Sequence, residues 1–224
     1  MTFDLLRRVA AEFVGSLILA GVVIGSGVMA QRLAGGNDAI ALLGNTLATA
    51  TVLYVLISAL APISGAHFNP AVTLVAMLRR ELSRTEAFAF VAVQVVGCVA
   101  GAVLAHAMFE LPLVQLGTIE RAGAGQWLSE AVATFALVAC IILVSRFKPN
   151  AIAPAVACAI AAGYWWTAST SFANPAITVA RSLTDTFSGI APADVAGFIG
   201  AQMLGALAAA WIVSWIIKSP ENMS

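Results

Sequence analysis

The sequence predicts an all-α membrane protein with six transmembrane helices and two re-entrant half-helices, arranged as an inverted repeat of three helices plus three. Three observations support this prediction. Hydrophobic residues make up 61% of the 224 residues and charged residues only 10%, whereas a soluble domain carries about 25% charged residues. Six apolar runs have or approach the length that spans a bilayer. Two Asn-Pro-Ala triplets, at residues 69–71 and 174–176, begin apolar pieces that are too short to span.

The six long runs are justified by length and by their lack of charge. A spanning helix needs roughly 20 predominantly apolar residues. Glu12 and Glu130 are the only formal charges inside the runs, and the fifth run is the shortest and contains Pro154. Six spans would place both termini on one side of the membrane. The runs cover residues 10–31, 39–63, 87–109, 127–145, 151–168 and 195–217.

The distribution of basic residues predicts which side holds the termini. If the N-terminus is inside, eight basic residues fall on inner segments and three on outer segments, which fits the positive-inside rule. We therefore expect a multi-pass protein of the cell inner (plasma) membrane with both termini cytoplasmic. The inner group is Arg7, Arg8, Arg79, Arg80, Arg84, Arg146, Lys148 and Lys218, and the outer group is Arg32, Arg121 and Arg181.

Two short apolar pieces, residues 69–78 and 174–184, are each about ten residues long. A helix of that length reaches roughly 15 Å, half of the hydrocarbon core. Each begins at an Asn-Pro-Ala triplet. Proline suits the first turn of a helix, where its missing N–H is not needed, and a preceding asparagine can cap the free backbone N–H groups. Each triplet therefore predicts the start of a half-helix.

The two halves of the chain, residues 1–110 and 120–224, resemble each other. Glu12 corresponds to Glu130, Asn69 to Asn174, and Gln94 to Gln202. Each half holds three spans, an odd number, so the second half enters the membrane from the opposite side. Inverted repeats of this kind in transport proteins place the site at the midplane, where interrupted helices meet. We expect a single channel domain formed by both halves.

The paired triplets predict a pore. Their half-helices would meet near the membrane centre, and both N-termini carry partial positive charge. Asparagine amides there would offer donors to neutral solutes with hydroxyl groups, while a cation would meet a positive centre after losing its hydration. One triplet alone could simply cap a helix, but two at equivalent places favour the pore. The proposed pore motifs are Asn69, Pro70, Ala71, Asn174, Pro175 and Ala176.

Composition argues against other functions. A formal net charge of zero gives no reason to expect a nucleic-acid partner. Three cysteines lie in apolar runs without CxxC spacing, so we interpret them as small buried thiols and expect neither a metal nor a cofactor. The sequence lacks the GxSxG, HExxH and phosphate-loop motifs, which argues against an enzyme. An ion-coupled secondary transporter stays open as an alternative, but coupling normally needs intramembrane charges near the site.

At these motifs the chain resembles the aquaporin, or major intrinsic protein, family. The resemblance covers nearly the whole chain and includes "AEFVGS" at 11–16, "ISGAHFNPAVT" at 63–73 and "NPA" at 174–176. It implies the same arrangement of helices, and homotetramers with one pore in each subunit. It also implies that two buried glutamates accept backbone N–H groups from the re-entrant loops. The expected loop supports are Glu12, Glu130, His67, Gln94 and Gln202.

The chain departs from the family directly after the second triplet. Typical members carry an arginine there, which forms one wall of the outer constriction, but this chain has Ile177. Counting residues from the triplets, the resemblance places the other walls of the constriction at Thr49, Ala162 and Ser171. If the register of the fifth span is shifted by one residue, Gly163 takes the place of Ala162. Arg181, one helical turn further on, could face the outer vestibule. It could instead be a headgroup-level arginine paired with Asp185.

Small, uncharged walls predict a wide opening. Water should pass, together with small uncharged solutes such as glycerol or urea. Family members that lack the constriction arginine include a bacterial subgroup associated with arsenic resistance, which this chain resembles, so arsenous acid and methylated arsenicals are further candidates. Tyr164, Trp165 and Trp166 add aromatic bulk nearby or form an interface belt.

Overall fold

A computed structural model describes residues 3–217, and the predicted all-α fold class is confirmed. Eight α-helices occur within these residues, with a 3₁₀ turn at Pro149–Ala151 and another at Pro192–Asp194. The helices are α1 (Leu5–Leu33), α2 (Asp38–Ser64), α3 (Pro70–Leu78), α4 (Arg84–Met108), α5 (Ala124–Phe147), α6 (Ile152–Trp166), α7 (Pro175–Arg181) and α8 (Val195–Ile216).

Five segments of the described chain are long and apolar enough to cross a membrane, namely α1, α2, α4, α5 and Pro192–Ile216. The fifth predicted span, α6, is shorter, with 15 residues. Its length of about 22 Å falls short of the hydrocarbon thickness. The helix ends at Trp166 because Thr167 takes an extended conformation, with φ −115° and ψ 142°. The 3₁₀ turn at Pro149–Ala151 lengthens the segment at its other end.

The two short helices begin where the triplets predict. In α3, Asn69 is the N-cap and its side chain accepts a hydrogen bond from the Ala71 N–H at 2.9 Å. In α7, Asn174 caps in the same way, accepting from the Ala176 N–H at 3.0 Å. α7 ends at Arg181 and not at residue 184, because the following residues form a turn in which the Leu183 N–H donates to the Ala180 carbonyl.

The bundle is built from equivalent helix pairs in its two halves. α1 packs along α4, and α5 packs along α8. The first pair is in backbone contact: a Cβ atom at Gly97 would lie 2.7 Å from the Phe13 carbonyl oxygen, and one at Gly101 would lie 2.9 Å from the Gly21 nitrogen. Small residues allow this approach, which supplies the dispersion contacts that hold membrane helices together.

The bundle has two ends, and each has basic residues in contact with other helices. We call the end that holds the start of α1 and the end of α8 the terminal face; there Arg8 forms an ion pair with Glu86. At the opposite face, the guanidinium of Arg32 lies 5.1 Å from the ring centre of Phe109. Lys218 of the predicted inner group lies outside the described residues.

The prediction of three buried thiols is wrong in part. Cys98 is buried, Cys140 is partly exposed and Cys158 is exposed. An apolar run shows that a segment is in the membrane, but it does not show which side of the helix faces the bundle. Cys158 lies on the outward side of α6.

We expect Gly97→Ala to destabilise the protein, because the new methyl group would overlap the backbone of α1. Overpacking of this kind costs about 1–3 kcal/mol. Gly200→Ala in α8 is the matched control, because a Cβ atom at Gly200 has no heavy atom within 4 Å to meet. Thermal unfolding in detergent should show a lower midpoint for Gly97→Ala and an unchanged or higher midpoint for the control. Equal midpoints would contradict the contact.

Candidate functional site

The two triplets meet at the centre of the bundle and are hydrogen-bonded to each other. The side-chain nitrogen of Asn69 donates to the Ala173 carbonyl at 2.7 Å, and that of Asn174 donates to the Phe68 carbonyl at 2.8 Å. The sequence predicted that both amides offer their donors to solutes, without this exchange. Each –NH₂ group has two hydrogens, so one is used in this exchange and the second is left for the cavity that both asparagines line.

Two buried carboxylates hold the re-entrant loops, each through four donors. Glu12 accepts from the Ser64 hydroxyl at 2.6 Å and from the backbone N–H groups of His67 and Phe68 at 2.9 and 2.7 Å. Its fourth donor is Gln94 at 2.8 Å. Both Glu12 and Glu130 have no exposed surface.

Glu130 has an equivalent set of partners in the second half. It accepts from the Ser169 hydroxyl at 2.6 Å, from Gln202 at 2.6 Å, and from the backbone N–H groups of Phe172 and Ala173 at 2.8 and 2.9 Å. Full hydrogen bonding is what allows a carboxylate to stay inside a membrane bundle. The two glutamates therefore fix the backbone of both loops in the same way.

A second group of polar residues connects these carboxylates to the half-helices. Gln94 also donates to the Thr73 hydroxyl of α3 at 2.9 Å, and Gln202 donates to the Thr178 hydroxyl of α7 at 2.8 Å. His67 Nδ1 lies 3.1 Å from the same Thr73 hydroxyl. Sequence reasoning missed the serines and threonines, although they recur at equal distances from the asparagines. The pairs are Ser64 with Ser169 and Thr73 with Thr178.

The loops carry the same unusual backbone conformation. Ala66 and Phe68 in the first loop have φ values of 53° and 50°, and Ser171 and Ala173 in the second have 52° and 47°. Such left-handed conformations cost a residue with a side chain roughly 1 kcal/mol or more and persist only where the surroundings enforce them. The hydrogen bonds to the two glutamates enforce them here.

A cavity of about 480 Å³ runs between the two ends of the bundle and passes both asparagines. The loops contribute residues 65–67 and 171–174 to its wall, and these include the polar side chains of His67, Ser171 and Asn174. The helices contribute apolar side chains: Leu19, Val23, Leu53, Ile57, Leu137, Ile141, Val156 and Ile160. The passage is therefore amphipathic, with hydrogen-bonding groups along one part of its wall and hydrocarbon along the rest.

At the opposite face the cavity is bordered by five residues, which we call the neck: Thr49, Tyr164, Ser171, Ile177 and Arg181. Three of them belong to the predicted constriction, but the prediction for Ala162 is wrong. Ala162 is exposed on the outside of α6 and does not line the cavity. Tyr164 lines it instead. Residues two positions apart in a helix point in directions about 200° apart. An error of two positions in the register therefore exchanges the cavity side of α6 for its outer side.

The register of α6 is set by Gly163. This residue is buried, and a Cβ atom there would lie 2.8 Å from the Cβ of Ser171. Only a glycine permits the helix to approach the second loop so closely. With Gly163 against the loop, the next residue faces the cavity. Spacing alone could not indicate this contact.

Arg181 reaches the cavity and is not a headgroup-level residue. Its side chain is only 3% exposed, its Nε donates to the Ser188 carbonyl, and its guanidinium carbon lies 3.3 Å from the ring centre of Phe172. Asp185, the alternative partner, instead accepts hydrogen bonds from the N–H and hydroxyl groups of Thr118, at 3.3 and 2.6 Å. The neck thus carries one guanidinium, beyond Ile177, where the expected set of walls had none.

Arg121 is a further residue that sequence reasoning did not find. It lies in the segment between α4 and α5, donates to the Gly189 carbonyl at 2.9 Å and the Ser169 carbonyl at 3.4 Å, and lies 5.0 Å from the ring centre of Phe172. Burial lowers the pKa of Arg121. Its contacts connect the long loop to the second re-entrant loop, which no local motif in the sequence indicates.

We expect Glu130→Gln to destabilise the second loop, because the amide would place a donor against one of the four donors that now bond the carboxylate. An unsatisfied buried polar group costs about 1–3 kcal/mol. Glu120→Gln, an exposed loop position, is the control. The unfolding midpoint in detergent and the water permeability of proteoliposomes should both fall for Glu130→Gln only. Unchanged values for both variants would contradict the bracing role.

Comparison with known proteins gives a consistent result. A family model described as "Major intrinsic protein" matches residues 1–150. Aquaglyceroporin AqpS of Rhizobium meliloti (strain 1021) is 50% identical over 216 residues, which are 96% of this chain and 92% of that protein. Probable aquaporin AqpM of Archaeoglobus fulgidus is 30% identical over 97% of this chain and 100% of its own length.

A solved structure agrees in fold. The X-ray structure of the aquaglyceroporin from Plasmodium falciparum matches 96% of this chain and 97% of its own chain, with a TM-score of 0.74 and 18% sequence identity. The matched family model, the length of the alignment to the rhizobial protein and this fold all point the same way. The chain belongs to the major intrinsic protein family, whose members are membrane channels and not enzymes.

Proposed function

We propose that this protein is a passive channel for water and small uncharged solutes such as glycerol. The observation that supports this most directly is the amphipathic cavity that passes both asparagines. The asparagine amides and the side chains of His67 and Ser171, which line the cavity, can replace the hydrogen bonds that a hydroxylated solute leaves in water. The apolar helix side chains accommodate its carbon skeleton. The similarity to the aquaglyceroporin of Rhizobium meliloti supports the same solute class.

Ions are disfavoured at the centre of this passage. The N-termini of α3 and α7 both point to the asparagines, so their backbone dipoles make the centre positive. A cation that reached the centre would lose its water ligands there. The cavity wall offers no carboxylate at that depth to take their place, because its carboxylate, Glu81, lies at the terminal face. The guanidinium of Arg181 adds positive charge at the neck. Neutral molecules meet no such barrier.

Arsenous acid fits the same description, because it is uncharged near neutral pH and carries three hydroxyl groups. We include it, and methylated arsenicals of similar shape, in the proposed solute class. Support comes from Ile177, which is 4% exposed and lines the neck where family members usually carry arginine. An aliphatic side chain there leaves the neck with one guanidinium, that of Arg181.

We further propose that both termini are cytoplasmic, that the protein lies in the bacterial inner membrane, and that it forms homotetramers with one pore per subunit. The basic residues of the terminal face support the orientation through the positive-inside rule. The two sequence halves, residues 1–110 and 120–224, act as inverted repeats of one channel domain. The equal partner sets of Glu12 and Glu130 support this repeat.

An ion-coupled transporter is the alternative, and the two intramembrane carboxylates argue against it. Glu12 and Glu130 are each engaged by four donors and do not line the cavity. Neither is available to bind a coupling ion beside the solute. We expect glycerol entry into proteoliposomes, followed by light scattering, to rise linearly with its gradient and to be insensitive to proton or sodium gradients. A saturating rate that requires either gradient would favour the transporter.

The substitution Ile177→Arg tests the neck. We expect water permeability to be retained and glycerol permeability to fall by about tenfold, because a second guanidinium would narrow the opening. Ile177→Leu, which keeps the volume, is the control and should behave like the unsubstituted protein. Equal glycerol permeability in all three proteins would show that position 177 does not limit the passage.

A further inference from the structure

We propose that a groove between α1 and α4, on the outside of the bundle, binds one acyl chain of a phospholipid, and that Arg32 at its outer end binds the phosphate of that lipid. The groove has a volume of about 350 Å³ and shares no lining residue with the central cavity. The inference concerns lipid and not solute, so it goes beyond the proposed function and does not depend on what the channel passes.

The groove follows α1 for the length of one leaflet. Its residues on this helix recur at helical spacing from Leu17 to Met29, which corresponds to about 18 Å. One leaflet accounts for half of the hydrocarbon core, roughly 15 Å. Leu17 lies near the bundle centre, because Gly15, two residues earlier, packs on the ring of Phe68, whose carbonyl accepts the hydrogen bond from Asn174. The groove therefore runs from the centre to the opposite face.

The cross-section of the groove suits a hydrocarbon chain. Gly21 and Gly25, one turn apart on α1, leave its floor without side chains, and Leu104 and Met108 of α4 form a wall. A volume of about 350 Å³ over about 18 Å gives a section of about 20 Å². A helix about 10 Å in diameter has a section of roughly 80 Å². A single acyl chain therefore fits the groove, whereas a helix of another chain does not.

The lining offers water little to bind. Ser26 carries the hydroxyl group of the lining, and this group is engaged within the bundle. It donates to the Val22 carbonyl at 2.6 Å and accepts from the Asn45 side-chain nitrogen at 2.9 Å. Apolar cavities without free polar partners stay dry and accept apolar ligands. The leaflet beside the groove supplies such a ligand along its whole length.

Arg32 lies where the headgroup of that lipid would be. It follows Met29 by three residues, and its guanidinium lies 5.1 Å from the ring centre of Phe109, which also lines the groove. Its Nη2 donates to the Phe109 carbonyl at 3.2 Å, which uses one of five N–H groups. Within residues 3–217 Arg32 forms no ion pair. The remaining donors can bind a phosphate, for which a guanidinium has the matching geometry.

The phosphate contact is tested by native mass spectrometry of the full chain, delipidated in detergent. The probes are dipalmitoylphosphatidylethanolamine and dipalmitoylglycerol, which has the same chains and no phosphate. We expect Arg32→Gln to raise the Kd of the tightest-bound phospholipid about tenfold, the low end for a hydrogen bond to a charged group, and to leave dipalmitoylglycerol binding unchanged. Arg7→Gln, at an exposed arginine of the terminal face, is the control and should bind both probes as the unsubstituted protein does.

The acyl-chain site is tested by filling it. Leu104→Trp places a larger ring in the wall, so we expect the Kd of both probes to rise several-fold. Leu204→Trp is the matched control, because Leu204 is an exposed apolar residue of α8 outside the groove. Leu104→Phe provides a milder filling for the same comparison if the tryptophan variant does not insert.

Three results would overturn the inference. Unchanged binding of both probes in Arg32→Gln and in the filled variant would show that lipid does not use the groove. Weaker binding in the filled variant alone would remove the role of Arg32. If the filled variant instead dissociates an oligomer in size-exclusion chromatography, while Leu204→Trp does not, a second copy of this chain covers the groove and not a lipid.

Discussion

The structure depends on two buried carboxylates, neither of which forms an ion pair within residues 3–217. Glu12 and Glu130 each accept four hydrogen bonds. In return, they satisfy backbone N–H groups that have no helical partner at a depth where water is scarce. The irregular loops and the buried charges are each unfavourable in lipid. The hydrogen bonds between them offset the unfavourable free energy of both. They also fix the course of the loops, and with it the geometry of the passage.

The loops in turn determine which groups face the solute. Their left-handed residues at Ala66, Phe68, Ser171 and Ala173 bend the chain so that residues 65–67 and 171–174 line the cavity. The helices supply mostly hydrocarbon there. Polarity is thus concentrated on the loops and aliphatic surface on the helices, an arrangement suited to molecules that themselves have a hydroxylated edge and a carbon edge.

Much of this architecture could be predicted from the sequence. The triplets at Asn69 and Asn174 specify helix starts through local chemistry, since a proline at the first turn and a capping asparagine act within a few residues. Glu12 and Glu130 are conspicuous because charges are rare in apolar runs. The length of the runs indicates spans with little ambiguity, although α6 ends earlier than its hydropathy implies because Thr167 leaves the helical conformation.

The neck could not be predicted in the same way, since it depends on contacts between distant segments. The choice between Ala162 and Tyr164 is made by Gly163 packing on Ser171, a tertiary contact without a sequence period. Arg181 points inward because it contacts Ser188 and Phe172. Arg121 lies in a loop about fifty residues before Ser169 and Phe172, the residues of the second re-entrant loop that it contacts. Counting residues back from Asn174 to α6 crosses the non-helical residues 167–173, whose path is set by tertiary contacts and not by a period.

The exchange of hydrogen bonds between the triplets has a consequence for how the protein is made. Asn69 is bonded to a carbonyl 104 residues later in the chain, and Phe68 supplies its carbonyl to an amide 106 residues later. While a ribosome delivers the chain in order, these two hydrogen bonds cannot form until the second re-entrant loop emerges, whereas the bonds from the first loop to Glu12 lie within the first half of the chain. The pore centre is therefore completed only after the second half of the chain has been synthesised.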